Sequence, residues 1–426
     1  MRILVVAVDC ASDPDRIARS NAELCQSLID AGHDVEATAL PTLARRATGD
    51  ANDQATTGPG RTSKITDYVR AEAAHSKPSS AIIRFWQHTS FALSGIGPMV
   101  TRILKGRPDT ILLIAPTSIY AALVALSARC IGARSWLHLR EPAFAEACEG
   151  RLFAIRPIKT MLYYLETLSL MLFDRVSTIS PQMRRELQSR GVDARKTYEL
   201  RDWIDLSAIE PGSCKTRIRR QLGLNEAHFL GLVPGASLDQ DALDMVVSAA
   251  MIFSQRQSHI HLVIYGKAAS VPTETPNLHL LDLPPAPCSE LLATADFHIV
   301  QQNTADSLLP PLLGEILASN RPAIAIADSG TCFADEVEDV GLIVAPRDVL
   351  GLVESIGLLD DERALTEILG NNARERALER WSRPGIIHRL SLELSDLVSD
   401  DLLGRSTRRK RGFTAENTAK PAATRP

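Results

Sequence analysis

The chain has 426 residues, 45% of them hydrophobic, 23% charged and 5% aromatic, with a formal net charge of −4 at neutral pH. That is enough apolar material for two or three ordinary domains, and it excludes a disordered chain, a collagen-like repeat and a disulfide-stapled miniprotein. The near-balanced charge gives no bias toward nucleic acid.

The chain opens on Met1-Arg2-Ile3-Leu4-Val5-Val6-Ala7-Val8. The apolar run is too short for a secretory core and reads as a first parallel strand, Ile3–Val8. Residues Ala18 to Ala31 carry Leu24 and Leu28 on one face and end at Gly32, which predicts a helix with its cap. Val35–Leu40 is the next strand. The stretch Thr48 to Ser80, rich in small and polar residues and holding Gly58-Pro59-Gly60, reads as a mobile insertion. After it, Ile82 to Leu104 has helical spacing interrupted near Gly95 and Gly97. With Arg84, Arg102, Lys105 and Arg107 it has two readings, packing on its own domain or lying on an anionic membrane, and the first is preferred.

The alternation then resumes, with strands at Thr110–Ala115, Ser135–Leu139 and Arg175–Ile179 and helices at Ile119–Cys130, Ile158–Leu172 and Met183–Arg190. The strand at 135–139 runs into Arg140-Glu141-Pro142. A second unit starts near Pro211. Its predicted strands are His228–Val233, His261–Tyr265, His279–Leu281, Phe297–Val300, Ala323–Ala327 and Gly341–Val344. Its helices are Ala242–Phe253, Pro287–Ala295 and Pro311–Ala318, closed by Arg363–Arg380 and Ile386–Leu403. Short apolar strands joined by amphipathic helices mean βαβ units, so the fold class is α/β with two consecutive doubly wound units.

No apolar stretch reaches the ~20 residues a membrane-crossing helix needs, so a soluble or surface-bound protein is expected. Gly404 to Pro426, with Arg405, Arg408, Arg409, Lys410 and Arg411, reads as a disordered basic tail. The seven cysteines form no Cys-x-x-Cys pair, which argues against a zinc ribbon or a dithiol motif and fits a reducing cytoplasm.

Several chemistries are disfavoured by missing motifs. No Gly-x-Gly-x-x-Gly follows a strand, no phosphate loop with Gly-Lys-Ser/Thr exists, and no Gly-x-Ser-x-Gly elbow is present. The triplets Asp13-Pro14-Asp15 and Asp239-Gln240-Asp241 have the composition of metal-bridging pairs. Each precedes a helix, however, where aspartate is a preferred cap, and no metal site is predicted. His259 and His261 share a strand face without identifiable further ligands.

Several segments, in order, resemble the retaining, nucleotide-sugar-dependent glycosyltransferases of family 4, which have the GT-B fold. The nearest branch is that of bacterial colanic-acid, O-antigen and exopolysaccharide biosynthesis. The segments are "MRILVVAVD" with "AELCQSLIDAGHDVEATAL", "DTILLIAPTSIYAALVALSA", "SWLHLREP", "FDRVSTISPQMRRELQSRGV", "YELRDWIDLSAIEP", "LLPPLLGEILASNRPAIAIADSGT", "VGLIVAPRD" and "LGNNARERALERW". The likeness covers roughly residues 1–400.

The resemblance implies two Rossmann-like domains facing across a cleft. Residues 1–203 would be the acceptor-side domain and residues 204–382 the nucleotide-sugar domain. Residues 383–403 would be a closing helix returning toward the first domain, and 404–426 the tail. It implies transfer of a sugar, with retention, from a nucleotide diphosphate sugar to a polysaccharide or lipid-linked acceptor, with no metal and no cofactor. It places the enzyme in the cytoplasm, with contact to an anionic membrane on the inner face of the plasma membrane as a further expectation. In the family's Glu-x7-Glu pattern Glu315 matches the second acid, which holds the nucleotide ribose. The first position falls on Ser307, with Asp306 beside it. The family's Arg and Lys after the first strand of the nucleotide domain are absent from Gly235-Ala236-Ser237-Leu238, which leaves Gly235 in the donor turn and Lys267 or Arg140 as replacement cations. Arg140-Glu141 falls where the family has its catalytic-edge residues. The missing cations also motivate an alternative: a catalytically degenerate GT-B module acting as a scaffold in a polysaccharide assembly complex.

Overall fold

The structure is a computed structural model. It describes residues 1–8, 14–40, 97, 99–114, 119–140, 156–210, 216–266, 275–281, 289–302, 309–310 and 312–398. Two compact units divide the chain. One comprises Met1–Thr178, Arg184–Leu200 and Ile387–Pro426; the other comprises Ile179–Met183 and Arg201–Ile386.

The first unit is built on a six-stranded parallel sheet of order β2-β1-β3-β4-β5-β6. Its strands are β1 (Arg2–Val8), β2 (Asp34–Leu40), β3 (Thr110–Ile114), β4 (Arg134–Leu139), β5 (Arg175–Thr178) and β6 (Thr197–Glu199). Helices α1 (Pro14–Asp30), α2 (Ile119–Ile131), α3 (Arg156–Met171) and α4 (Pro181–Ser189) make the crossovers. Ile111, Leu112 and Leu113 are all fully buried, because a parallel strand covered on both faces needs apolar side chains at every position. Residues 99–106 are helical, with Met99 and Ile103 buried and Arg102 hydrogen-bonded to Glu36 at 2.8 Å, so this part of the ambiguous segment packs on its own unit.

The second unit repeats the design with order β12-β11-β10-β7-β8-β9, again all parallel. The strands are β7 (Phe229–Pro234), β8 (Ile260–Tyr265), β9 (Leu278–Leu281), β10 (Phe297–Gln301), β11 (Ala323–Ile326) and β12 (Gly341–Val344). The helices are α5 (Thr216–Gln221), α6 (Gln240–Gln255), α7 (Ser289–Thr294), α8 (Leu313–Ala318), α9 (Cys332–Val337), α10 (Val349–Asp361) and α11 (Arg363–Trp381). A further helix covers 383–398.

Alternation along the strands sorts this sheet into two apolar layers. Phe229, Val233, Leu262, Ile264 and Ile299 pack under α6 and α10. Leu230, Leu232, Val263, Tyr265 and Val300 pack under α8 and α11. Burial of a ring such as Phe297 contributes roughly 1.5–3 kcal/mol. Gly231 makes room for it, since a Cβ there would collide with the Phe297 ring and with Leu262.

One device recurs in both units. Asp174, just before β5, accepts from Ser135 N at 2.9 Å and from Arg134 Nη1 at 2.9 Å. Asp296, just before β10, accepts from Leu230 N at 2.9 Å and from Arg219 Nη2 at 2.7 Å. In each case the aspartate N–H returns a bond to the carbonyl of the same residue whose N–H it accepts. The sequence spacing missed β6, α5, α9 and α10. The first three are six residues or shorter, and the buried stripe of α10 (Leu352, Val353, Ile356, Leu359) is masked in the sequence by exposed Leu350 and Leu358 on other faces.

The proposed insertion at 48–80 and the tail at 404–426 lie outside the described residues, as does 399–403 of the closing helix.

Candidate functional site

In an open α/β sheet a ligand binds beyond the carboxyl ends of the strands where the strand order reverses. In the second unit that point lies between β7 and β10, with β8 continuing on one side and β11 on the other. After Pro234 the chain makes a single tight turn, Gly235–Ser237, and Asp239 then caps α6 by accepting from Ala242 N at 2.9 Å. Gln301, at the tip of β10 and 5% exposed, donates from Nε2 to Asp239 Oδ2 at 2.6 Å. Asp239 N donates back to Gln301 Oε1 at 2.9 Å. The two strand ends that flank the reversal are therefore tied together by a reciprocal pair.

The Asp239-Gln240-Asp241 triplet is divided between two jobs. Asp239 caps the helix, and Asp241 Oδ2 accepts from both Nη2 and Nε of Arg347, at 2.6 and 2.8 Å. Arg347 follows β12, and its guanidinium is held above its ordinary range by the hydrogen bond to Asp241. In the first unit Pro14 begins α1, while Asp13 lies outside the described residues.

Helix α8 starts at Leu313, later than the Pro310-Pro311 pair predicts, because Leu312 is the N-cap. Leu313, Ile316 and Leu317 face the core, which leaves Glu315 on the half-buried side with Oε2 enclosed. Tyr265, the last residue of β8, is 2% exposed, and its hydroxyl has no hydrogen-bond partner among the described residues. Burial pushes the Tyr265 phenol up, and the nearby Glu315 carboxylate pushes it further the same way. The two side chains are thus within electrostatic reach at the same edge of the sheet.

The helix is backed by a charged stack. A Cβ on Gly314 would come 2.9 Å from Trp381 Cδ1, so the indole lies flat against the α8 backbone. The Arg201 guanidinium sits 4.6 Å from the Trp381 ring centroid. Arg201 donates to Glu336 Oε1 at 2.5 Å and Arg380 donates to Glu336 Oε2 at 2.6 Å. Burial raises the Glu336 carboxyl, but the two guanidiniums outweigh it and hold it below the usual carboxylate range.

In the first unit Arg140 follows β4 and donates from Nη2 to Ser20 Oγ of α1 at 3.1 Å. Two residues earlier, buried His138 lies 3.0 Å by Nδ1 from Ser177 Oγ, which also accepts from Trp136 Nε1 at 2.8 Å. Burial, then the charge of Arg140, holds His138 well below its ordinary value, so it is neutral at pH 7. Of the residues nominated from sequence, Gly235, Glu315 and Arg140 take these places. Glu141, Lys267, Asp306 and Ser307 lie outside the described residues. Tyr265 and Gln301 were missed, because in the sequence each reads as an ordinary strand residue. Nothing local in the sequence marks either one; the strand order and the packing of α8 bring them to the site.

Residues 17–199 match a family model described as a glycosyl transferase 4-like domain. The chain is 24% identical over 388 residues to a protein of Escherichia coli (strain K12) that carries the name of a colanic acid biosynthesis glycosyl transferase, WcaI. The alignment covers 84% of this chain and 91% of that one. Among solved structures, sucrose-phosphate synthase from Thermosynechococcus elongatus is similar with TM-score 0.61 and 16% identity, over 94% of this chain and all of that one. Anabaena HepE, solved in complex with UDP, is similar with TM-score 0.63 and 13% identity, over 93% and 100% of the two chains.

Proposed function

We propose that the chain, which has the GT-B fold and whose residues 17–199 match a glycosyl transferase 4-like domain, is a glycosyltransferase of the family 4 type that transfers a sugar from a nucleotide diphosphate sugar to a saccharide or lipid-linked acceptor, with retention. The observation that carries this reading is that the Gly235 turn and the Asp239–Gln301 clamp stand at the strand-order reversal of the second unit, with Tyr265, under the electrostatic influence of Glu315, at the carboxyl end of the adjoining β8. Glu315 accepts from the ribose hydroxyls, and the Gly235 turn approaches the diphosphate. Asp306, Ser307 and Lys267 complete the donor side, Lys267 as a cation for the leaving diphosphate. Arg140 and Glu141 serve the reacting edge of the first unit. The donor is a substrate, and neither a metal nor a cofactor is part of the proposal. The complex of HepE with UDP supports a nucleotide diphosphate as the ligand class. The chain is read as working in the cytoplasm at an anionic membrane. The scaffold alternative is not favoured, since the family domain and the curated relative are both named as transferases.

The test is a thermal-shift and turnover panel of nucleotide diphosphates and their sugars. A cognate nucleotide at a hundred times its Kd adds about 2.7 kcal/mol to stability, so one base should stand out by several degrees. No shift and no hydrolysis across uridine, guanosine, thymidine, cytidine and adenosine donors overturns the reading.

The Tyr265 hydroxyl supports a sharper expectation. A buried hydroxyl without a partner costs about 1–3 kcal/mol, which a ligand that accepts or donates there recovers. Tyr265→Phe is expected to leave the protein as stable as wild type or more so, while raising the donor KM roughly fivefold, the worth of a hydrogen bond of about 1 kcal/mol. An unchanged KM removes Tyr265 from the donor site.

A further inference from the structure

Helix α3 (Arg156–Met171) buries an ion pair beside Leu170 and exposes most of its other apolar residues. Its inward face carries Glu166, which accepts from Arg190 Nη1 at 3.2 Å, with both side chains almost fully buried. Arg190 is also paired with Glu186, and its guanidinium lies 4.5 Å from the Tyr163 ring centroid. The outward face is apolar. Met161, Tyr164, Leu165, Leu168 and Met171 are 57%, 69%, 40%, 50% and 42% exposed. Their spacing of 0, 3, 4, 7 and 10 residues places them in one stripe along the helix. Helix α2 (Ile119–Ile131) packs beside α3 in the same unit and adds exposed Leu123 and Leu126.

Charge decides what this surface fits. Helix α2 contains no acidic residue, and the only acid of α3 is Glu166, spent inward on Arg190. The basic residue of the two helices whose exposure is described, Arg129 in the last turn of α2, faces solvent. A second copy docking through the same face would offer Arg129 no outward carboxylate from these two helices. An aliphatic and tyrosine stripe on helices that carry cations and no outward acid matches the interfacial layer of an anionic bilayer, where apolar side chains enter the acyl boundary and basic ones meet lipid phosphates.

We propose that the outward face of Arg156–Met171, with Leu123 and Leu126 of the adjoining helix, is the surface by which the protein lies on an anionic phospholipid membrane. No helix among the described residues is long and apolar enough to cross one. The proposal deepens the membrane contact read above by giving it an address, and it is independent of the donor site in the other unit.

The experiment is vesicle flotation of the full chain with 70% phosphatidylcholine and 30% phosphatidylglycerol, and with phosphatidylcholine alone. The wild type is expected to float with the anionic vesicles and to bind the neutral ones at least tenfold more weakly. Leu165→Ser/Leu168→Ser is expected to lose at least tenfold of the anionic binding, with the nucleotide thermal shift and circular dichroism unchanged. Because both side chains are solvent-exposed, that pair should fold normally; Tyr164→Ser alone serves as a milder second variant with a loss of several-fold. Anionic binding equal in wild type and both variants overturns the proposal. So does a wild type that ignores both vesicles, whether it stays monomeric or forms a dimer that the same substitutions dissolve. Failure of the nucleotide panel alone leaves this result standing and rejects the donor reading instead.

Discussion

Glu315→Gln is expected to lower kcat/KM for the donor about a hundredfold while leaving the melting temperature within a few degrees of wild type. The substitution keeps the size and planarity of the side chain and removes its charge. A hydrogen bond to a charged group is worth about 1.5–3 kcal/mol, and 3 kcal/mol is a factor of roughly 150. Glu315 stands on the half-buried side of α8, and Leu313, Ile316 and Leu317 hold the helix to the core in wild type and variant alike. Steady-state kinetics together with calorimetric titration of the free nucleotide diphosphate read it out. Because a ribose contact precedes the chemistry and persists through it, the effect should appear mainly in KM. A kinetic constant within twofold of wild type shows that this carboxylate does not hold the donor.

Glu336→Ala is expected to cost about 3–5 kcal/mol of stability, the usual penalty for removing one partner from a buried ion pair. Arg201 would be left as a buried cation, its side chain only 7% exposed, beneath the Trp381 ring. Urea unfolding should show the midpoint falling with little change in slope. The pH dependence has a definite sign. The folded carboxyl of Glu336 titrates below its ordinary value of 4.5. Its stabilisation is therefore fully present above that value and is lost as pH falls through the lowered folded value. Wild type should shed stability in that acidic window, and Glu336→Ala should shed less there. Since Trp381 lies flat on Gly314, the residue before Glu315, the variant is also expected to loosen α8 and raise the donor KM. A midpoint shift below 1 kcal/mol means the stack does not support the helix.

The fold was readable because parallel strands advertise themselves. Ile3–Val8, Thr110–Ile114 and Phe297–Gln301 are short, apolar at nearly every position and spaced by helices, and the predicted limits fall within about a residue or two of those observed. The place of Glu315 on a short helix was readable, since the predicted helix Pro311–Ala318 contains it. Tyr265 was not. Its position on β8 reads as plain core, and its proximity to Glu315 arises from which face of the sheet α8 covers, a property of packing rather than of spacing. The Asp239–Gln301 pair was hidden for the same reason, since 62 residues of chain separate its members. The apolar stripe of α3 was legible as a helix, but periodicity alone would have turned its apolar side inward. The buried Glu166–Arg190 pair reverses that.

The matched aspartates at the amino edges of the two sheets act at a distance. Asp296 fastens the start of β10 to Leu230, the second residue of β7, and the ladder then runs Phe297 beside Gly231 and His298 beside Leu232. Counted forward, Gln301 comes level with Gly235. A slip of one residue would send Gln301 to the opposite side of the sheet and bring the Phe297 ring against a residue with a side chain in place of the glycine that now admits it. A carboxylate at the end of the sheet farthest from the proposed ligand thus dictates which two side chains meet at the near end, and fine adjustment of substrate recognition can originate from the rim where no substrate arrives.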